Sequence, residues 1–193
     1  MTSLRGANSW NPLDGFVEAI AKLIEYRTRY ADGHIREVAE LACAIGAELG
    51  CSEHMLDGLR VMGHVYDIGK MRVPIEILVK PIKLTPLELN IARQHAETGY
   101  AIFKDINFQW PVAKAIQQHH EHLDGSGYPK GLRGDEICLE AKILGVAITC
   151  KTLTAQRPYR PALSVDAALD ELVKGRDKLY DTAAVDACVK LLG

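Results

Sequence analysis

All seven histidines of this 193-residue chain fall between positions 34 and 122. They are His34, His54, His64, His95, His119, His120 and His122, with the run Asp67-Ile-Gly-Lys70 among them. Imidazoles and carboxylates together make a mixed nitrogen and oxygen donor set, which suits iron, manganese, zinc or nickel rather than calcium. A lone histidine more often serves a backbone carbonyl, and that role accounts well for His54 and His122. It accounts poorly for His119-His120, an adjacent pair at the end of a helical pattern. That pair runs straight into the one glycine-dense loop, Asp124-Gly-Ser-Gly-Tyr-Pro-Lys-Gly-Leu-Arg-Gly134.

The elements that must position these groups read as helices. Nearly every segment has helical period and none shows sustained alternation. Phe16, Ile20, Leu23 and Ile24 mark a helix from about Leu13 to Tyr30. Ile35, Val38, Leu41, Ala42 and Ile45 form the apolar stripe of a second, from His34 to Leu49, with Gly50 as its C-terminal stop. Ser52 opens a third toward Asp67. Pro74, Pro81 and Pro86 leave room only for a short helix over Ile75 to Val79. Thr85 and Glu88 form a capping box at the head of one long helix expected from Pro86 to about Lys104. Further helices are expected from Pro111 to Leu123, Glu140 to Ala155, Val165 to Val173 and Thr182 to Leu192. The fold class is all-α: a single helical bundle of about seven to nine helices over residues 12–193, behind an N-terminal extension over 1–11.

Composition sets the outer limits. Hydrophobic residues are 48% and charged residues 25%, enough apolar mass for a full core, and 6% aromatics argue against a β-sandwich. The formal net charge of −2 gives no bulk attraction to DNA or to an anionic membrane surface. No run approaches the ~18 apolar residues of a membrane span. Cysteines stand at 43, 51, 138, 150 and 188, an odd number without a C-x-x-C pair, and read as reduced structural thiols. Without a basic and apolar leader in Met1 to Leu13, a cytoplasmic location is expected.

The order of these motifs resembles the HD-GYP family, the cyclic-di-GMP phosphodiesterase branch of the HD-domain metal-dependent phosphohydrolases. Tyr30-Ala-Asp-Gly-His34-Ile-Arg36 looks like its first-histidine motif, and Tyr66-Asp67-Ile-Gly-Lys70 with Val73-Pro74 like its HD-x-G-K segment. Arg93-Gln-His95 matches the next histidine. His119-His120-Glu121-His-Leu-Asp124-Gly-Ser-Gly-Tyr128-Pro129 is the family signature nearly letter for letter. Leu153-Thr-Ala-Gln-Arg157-Pro-Tyr-Arg160 completes a likeness covering about residues 12 to 190. The resemblance implies an HD-type helical bundle whose divalent ions, iron, manganese or similar, activate water and share the phosphate charge. Carried over by position, His34, Asp67, His95, His119 and His120 are the metal ligands, and Asp67 and Lys70 take part in catalysis. Lys70, Tyr128, Arg157 and Arg160 touch the dinucleotide, where ammonium and guanidinium groups suit phosphate oxygens.

The departures are as informative as the matches. Tyr66 stands where the family has the histidine of its HD pair. Ile148 takes the place of the late aspartate, Lys151 that of a second aspartate in the same segment, and Tyr30 that of an acidic ligand some members carry. By this resemblance, half of the basic metal site is absent. Isoleucine has no donor atom, and a phenol with a pKa near ~10 is a weak ligand. Lys151 is expected to repel a cation nearby. His64 lies roughly 200° around the helix from Tyr66 and is expected to be structural. Asp67, His95, His119 and His120 retain enough donors for one ion, so occupancy is expected to be partial or nil.

Three functions follow. The favoured one is a domain impaired in hydrolysis that works as a cyclic-di-GMP signalling or protein-binding module, with a partner such as a diguanylate-cyclase domain. The alternatives are a phosphodiesterase using the residual cluster, and an interaction domain binding neither metal nor nucleotide. Tyr66 and Ile148 are expected to adjoin in the cavity and fill the volume of the lost site.

Overall fold

The computed structural model describes residues 12–28, 33–156 and 161–193. The described chain is all-α, with only isolated bridges where strands would be. Its helices are α1 (Pro12–Thr28), α2 (His34–Glu48), α3 (Glu53–Val65), α4 (Ile75–Leu78), α5 (Pro86–Arg93), α6 (His95–Phe103), α7 (Val112–Gln118), α8 (Leu139–Thr154), α9 (Val165–Lys174) and α10 (Thr182–Leu192). A 3-10 turn, Ile68–Arg72, directly follows Asp67. None of the described helices is long and apolar enough to cross a membrane. The extension over 1–11 and Tyr30 lie outside the described residues.

The bundle is organised around α2 and α8. The stripe read from the sequence, Ile35, Val38, Leu41, Ala42 and Ile45, is the buried face of α2, which packs on α1, α3, α8 and α10. Helix α8 is buried nearly all round, through Ile143, Leu144, Val146, Ala147 and Cys150 among others, because α2, α7, α9 and α10 surround it. A helix apolar on every side must be enclosed in this way.

Caps hold the helix ends where the sequence places them. Gly50, at φ 76°, ends α2 in a Schellman motif: its N–H donates to the Ala47 carbonyl and that of Cys51 to Gly46, both at 3.0 Å. The hydroxyl of Ser52 accepts from the Met55 N–H, and the Thr85–Glu88 capping box is formed in both directions.

The single helix expected over 86–104 is two helices, α5 and α6, broken at Gln94. The Gln94 N–H takes the tighter i−3 bond to the Ile91 carbonyl at 3.2 Å. The Ala92 carbonyl accepts instead from Nδ1 of His95, at 2.8 Å. A side chain thus replaces a backbone partner at the break and fixes the His95 ring there, a substitution that apolar periodicity cannot register.

Candidate metal centre and ligand cavity

Asp67 ends the run from α3 and is wholly buried. Gly69, two residues on, lies so close to α6 that a Cβ there would stand 1.9 Å from the His95 carbonyl oxygen. Only glycine permits this contact, and it draws Asp67 up to His95, with Oδ1 and Nε2 3.6 Å apart. The other carboxylate oxygen of Asp67 accepts from Lys70 Nζ at 2.8 Å. Burial pushes the Asp67 carboxyl up, but the Lys70 ammonium, His95 and His119 outweigh it and bring the pKa down to about 2.

His119 caps the C-terminal end of α7 and His120 directly follows it. The Nδ1–H of His119 donates to the Ile116 carbonyl at 2.6 Å, as that of His95 does to Ala92. A carbonyl only accepts, so both rings carry their proton on Nδ1 and turn the Nε2 lone pair inward. Those two Nε2 atoms are 3.3 Å apart. Two lone pairs at that distance repel unless a cation lies between them. Burial opposes a proton in that role: it is the main cause lowering His95 to about 4 and His119 to about 3, and it holds His120 well below the ordinary range. Two nitrogens at ~2.0–2.1 Å from one tetrahedral ion stand about 3.3 Å apart. The donor set therefore fits a divalent transition metal. Among the described residues, His95, His119 and His120 form a group whose ligand atoms all lie within 4.8 Å of one another.

A cavity of about 660 Å³ opens beside this group. Its polar wall includes His34, Asp67, Lys70, His95, His120 and Tyr128, and its apolar wall comes largely from α4, α5 and their connection, through Ile77, Leu78, Val79, Leu84 and Leu89. His34, at the start of α2, is buried on this wall but is not one of the three clustered donors. Tyr66 and Ile148 both line the cavity, each nearly buried. The rings of Tyr66 and His119 meet in a T-shaped pair, centroids 5.5 Å apart at 74°. His64 is absent from the lining, and its Nδ1 is 2.8 Å from the Arg60 carbonyl, the structural role expected of it.

Lys151 is a correction. Expected to repel a cation, it pairs with Glu37 of α2 at 3.4 Å and is not among the lining residues, so its charge is answered away from the cavity. Arg157 and Arg160, expected to touch a dinucleotide, lie outside the described residues.

Three groups take roles that the sequence reading did not give them. Glu121 accepts from the N–H groups of Lys130 and Leu132, at 2.7 and 3.0 Å, and so ties the glycine loop to the end of α7. Its position between the histidine pair and the loop was the available signal. Arg93, read only as part of the Arg93-Gln-His95 match, and Lys83, which belongs to no motif, both line the cavity.

The lowered pKa values fix the acid response of the metal-free chain. Unfolded histidines bind protons below pH 6.5, whereas His95 and His119 wait until about 4 and 3. The unfolded state thus binds more protons across that window. Stability is whole above pH 6.5 and falls as pH drops toward 4, with Asp67 adding loss from 3.8 down to about 2. Denaturant unfolding in chelator, repeated between pH 7 and 4.5, should approach a slope near three protons, about 4 kcal/mol per pH unit, because His120 is held down with His95 and His119. A flat profile would show these rings to be solvated.

A family model described as "HD domain" matches residues 18–184. The chain belongs to the HD-domain family. Within it, the curated relatives are of the HD-GYP type. One is the cyclic di-GMP phosphodiesterase response regulator RpfG of Xanthomonas campestris pv. campestris, 35% identical over 173 residues, 89% of this chain and 46% of that protein. Another is the 3′3′-cGAMP-specific phosphodiesterase 3 of Vibrio cholerae, 36% identical over 93% of this chain and 39% of its own length. This HD domain thus spans about half or less of the length of those relatives. The same fold occurs in Bd1817, an HDG"Y"P protein from Bdellovibrio bacteriovorus, with a TM-score of 0.71 at 19% identity, over 93% of this chain and 63% of that one. It also occurs in the Listeria monocytogenes phosphodiesterase PgpH HD domain in complex with cyclic-di-AMP, with a TM-score of 0.62 at 17% identity, covering 96% of each chain.

Proposed function

We propose that this HD domain binds cyclic-di-GMP in the cavity beside its histidine cluster and is impaired in hydrolysing it, acting as a signalling module. The observation carrying this reading is Tyr66: a buried phenol in a T-shaped pair with His119, where the family resemblance calls for a histidine ligand. Ile148, on the same cavity, offers no donor where an aspartate is called for. The remaining donors suit one ion. His95, His119 and His120 would hold iron, manganese or a similar metal, with Asp67 beside them. When bound, that ion supplies a Lewis acid for a phosphoryl oxygen; the second ion that would share charge across an in-line displacement has lost its ligands.

The chain's own groups remain arranged for binding. Tyr128 stacks on His120, centroids 4.7 Å apart at 24°, and its N–H donates to the His120 carbonyl at 3.1 Å. Lys70 holds the Asp67 carboxylate ionised and oriented. A bound nucleotide would also order the face that a partner meets, such as a diguanylate-cyclase domain. Equilibrium dialysis with cyclic-di-GMP tests the binding: saturable uptake of one dinucleotide per chain, recovered chemically unchanged, is expected. No uptake at any metal loading would leave an interaction domain without a nucleotide.

A further inference from the structure

We propose that Arg93 makes this cavity prefer guanine to adenine in a bound cyclic dinucleotide, an inference that rests on the nucleotide-binding reading above. Among the described residues, four cations line the cavity: Lys70, Lys80, Lys83 and Arg93. Two already face carboxylates, Lys70 on Asp67 at 2.8 Å and Lys80 on Glu88 at 2.7 Å. Among the described residues, neither Arg93 nor Lys83 is in an ion pair with a carboxylate.

Arg93 is held in another way. Its Cζ lies 5.0 Å from the ring centroid of Tyr128, which itself stacks on His120. An aromatic face orients a guanidinium without consuming its N–H groups, leaving a planar fork of donors for a ligand. The Tyr128 support is itself fixed, through its N–H bond to His120 and through the Glu121 tie to the same loop.

Placement decides between base and phosphate. Arg93 follows Leu89 by one helical repeat on α5, so the two side chains share a face, and both line the cavity. That helix face joins the apolar wall with Ile77, Leu78 and Val79, while the guanidinium itself stands over Tyr128 where this wall meets the histidine side. A planar base seated on the apolar wall would turn an edge toward it, with the phosphates drawn to the histidine cluster. Guanine presents two adjacent acceptors, O6 and N7, which match the guanidinium fork. Adenine presents N7 beside an N6 amino donor, which faces the guanidinium donor to donor. Lys83, a point charge on the same cavity, can serve a phosphate but cannot read this difference.

Calorimetric titrations of the full chain with cyclic-di-GMP and with cyclic-di-AMP test the assignment. The unmodified chain should favour cyclic-di-GMP. Arg93→Met should weaken cyclic-di-GMP binding by about ten- to a hundred-fold and change cyclic-di-AMP binding by less than about threefold, removing the preference. Arg93→Lys should behave like the methionine variant, because one ammonium cannot span two acceptors. Metal uptake by both variants should equal that of the unmodified chain, which reports an intact fold and histidine cluster. Equal losses for the two dinucleotides, or full rescue by lysine, would reduce Arg93 to a phosphate contact and overturn the base assignment alone. Failure of the unmodified chain to bind either dinucleotide would overturn the nucleotide-binding reading together with this inference.

Discussion

Tyr66→His combined with Ile148→Asp is expected to raise bound metal by about one ion per chain, and hydrolysis of cyclic-di-GMP by about a hundred-fold or more. The size follows from the several kcal/mol that a second ion contributes to an in-line phosphoryl displacement, each ~1.4 kcal/mol being worth tenfold in rate. Both positions line the cavity, so the new donors enter where the cluster already stands. Ile148→Asp alone carries its own signature. It puts a carboxylate at a nearly buried position on the cavity without a partner, a cost of several kcal/mol, so its melting temperature should fall sharply in chelator and recover with added manganese. Changing Lys151 as well is unnecessary: its ammonium already answers Glu37 at 3.4 Å, and an aspartate there would set two carboxylates against each other. Elemental analysis and a product assay on the same samples check this. A double variant holding no more metal than the unmodified chain would show that the second site was lost for reasons beyond these two residues.

Gly69→Ala is expected to be among the most damaging single substitutions in the protein. The new methyl would stand 1.9 Å from the His95 carbonyl oxygen, a backbone atom that cannot swing aside. Overpacking against backbone costs about 3 kcal/mol or more, which in a domain of this size lowers Tm by roughly 6–12 °C. Relief requires the 3-10 turn and α6 to separate, carrying Asp67 away from His95, so metal uptake should fall with stability. Gly50→Ala is the control. At φ 76° it incurs left-handed strain, but its Cβ meets nothing within 4 Å, so about 1–2 kcal/mol and unchanged metal uptake are expected. Equal losses for the two variants, read by thermal melting, would mean that close approach at Gly69 does not hold the site together.

Much of this architecture was legible in the sequence because local chemistry and burial agreed. The α2 stripe, the Ser52 and Thr85 caps and the Gly50 stop are each set by residues within a few positions of one another, and each is present. The break at Gln94 was not legible, because it depends on a histidine ring competing with the backbone for the Ala92 carbonyl. Motif order brought His95, His119 and His120 into view, and they do meet. It could not show that their Nδ1 protons are committed to carbonyls, which is what turns the lone pairs inward. Lys151 misled because its helix position was read without its neighbour: Glu37 lies across the α2–α8 contact, more than a hundred residues away in the chain. Arg93 was read only as a neighbour of His95 for a related reason, since its meaning comes from the Tyr128 ring and from two lysines already matched to carboxylates.

The most direct measurement is product formation from cyclic-di-GMP by the unmodified chain under excess manganese or iron, followed over hours at an enzyme concentration matching the substrate. With Tyr66 and Ile148 in place, the dinucleotide should remain intact while bound. Steady conversion to a linear product, abolished by His119→Ala, would show that the residual histidine cluster suffices for hydrolysis and would contradict the account.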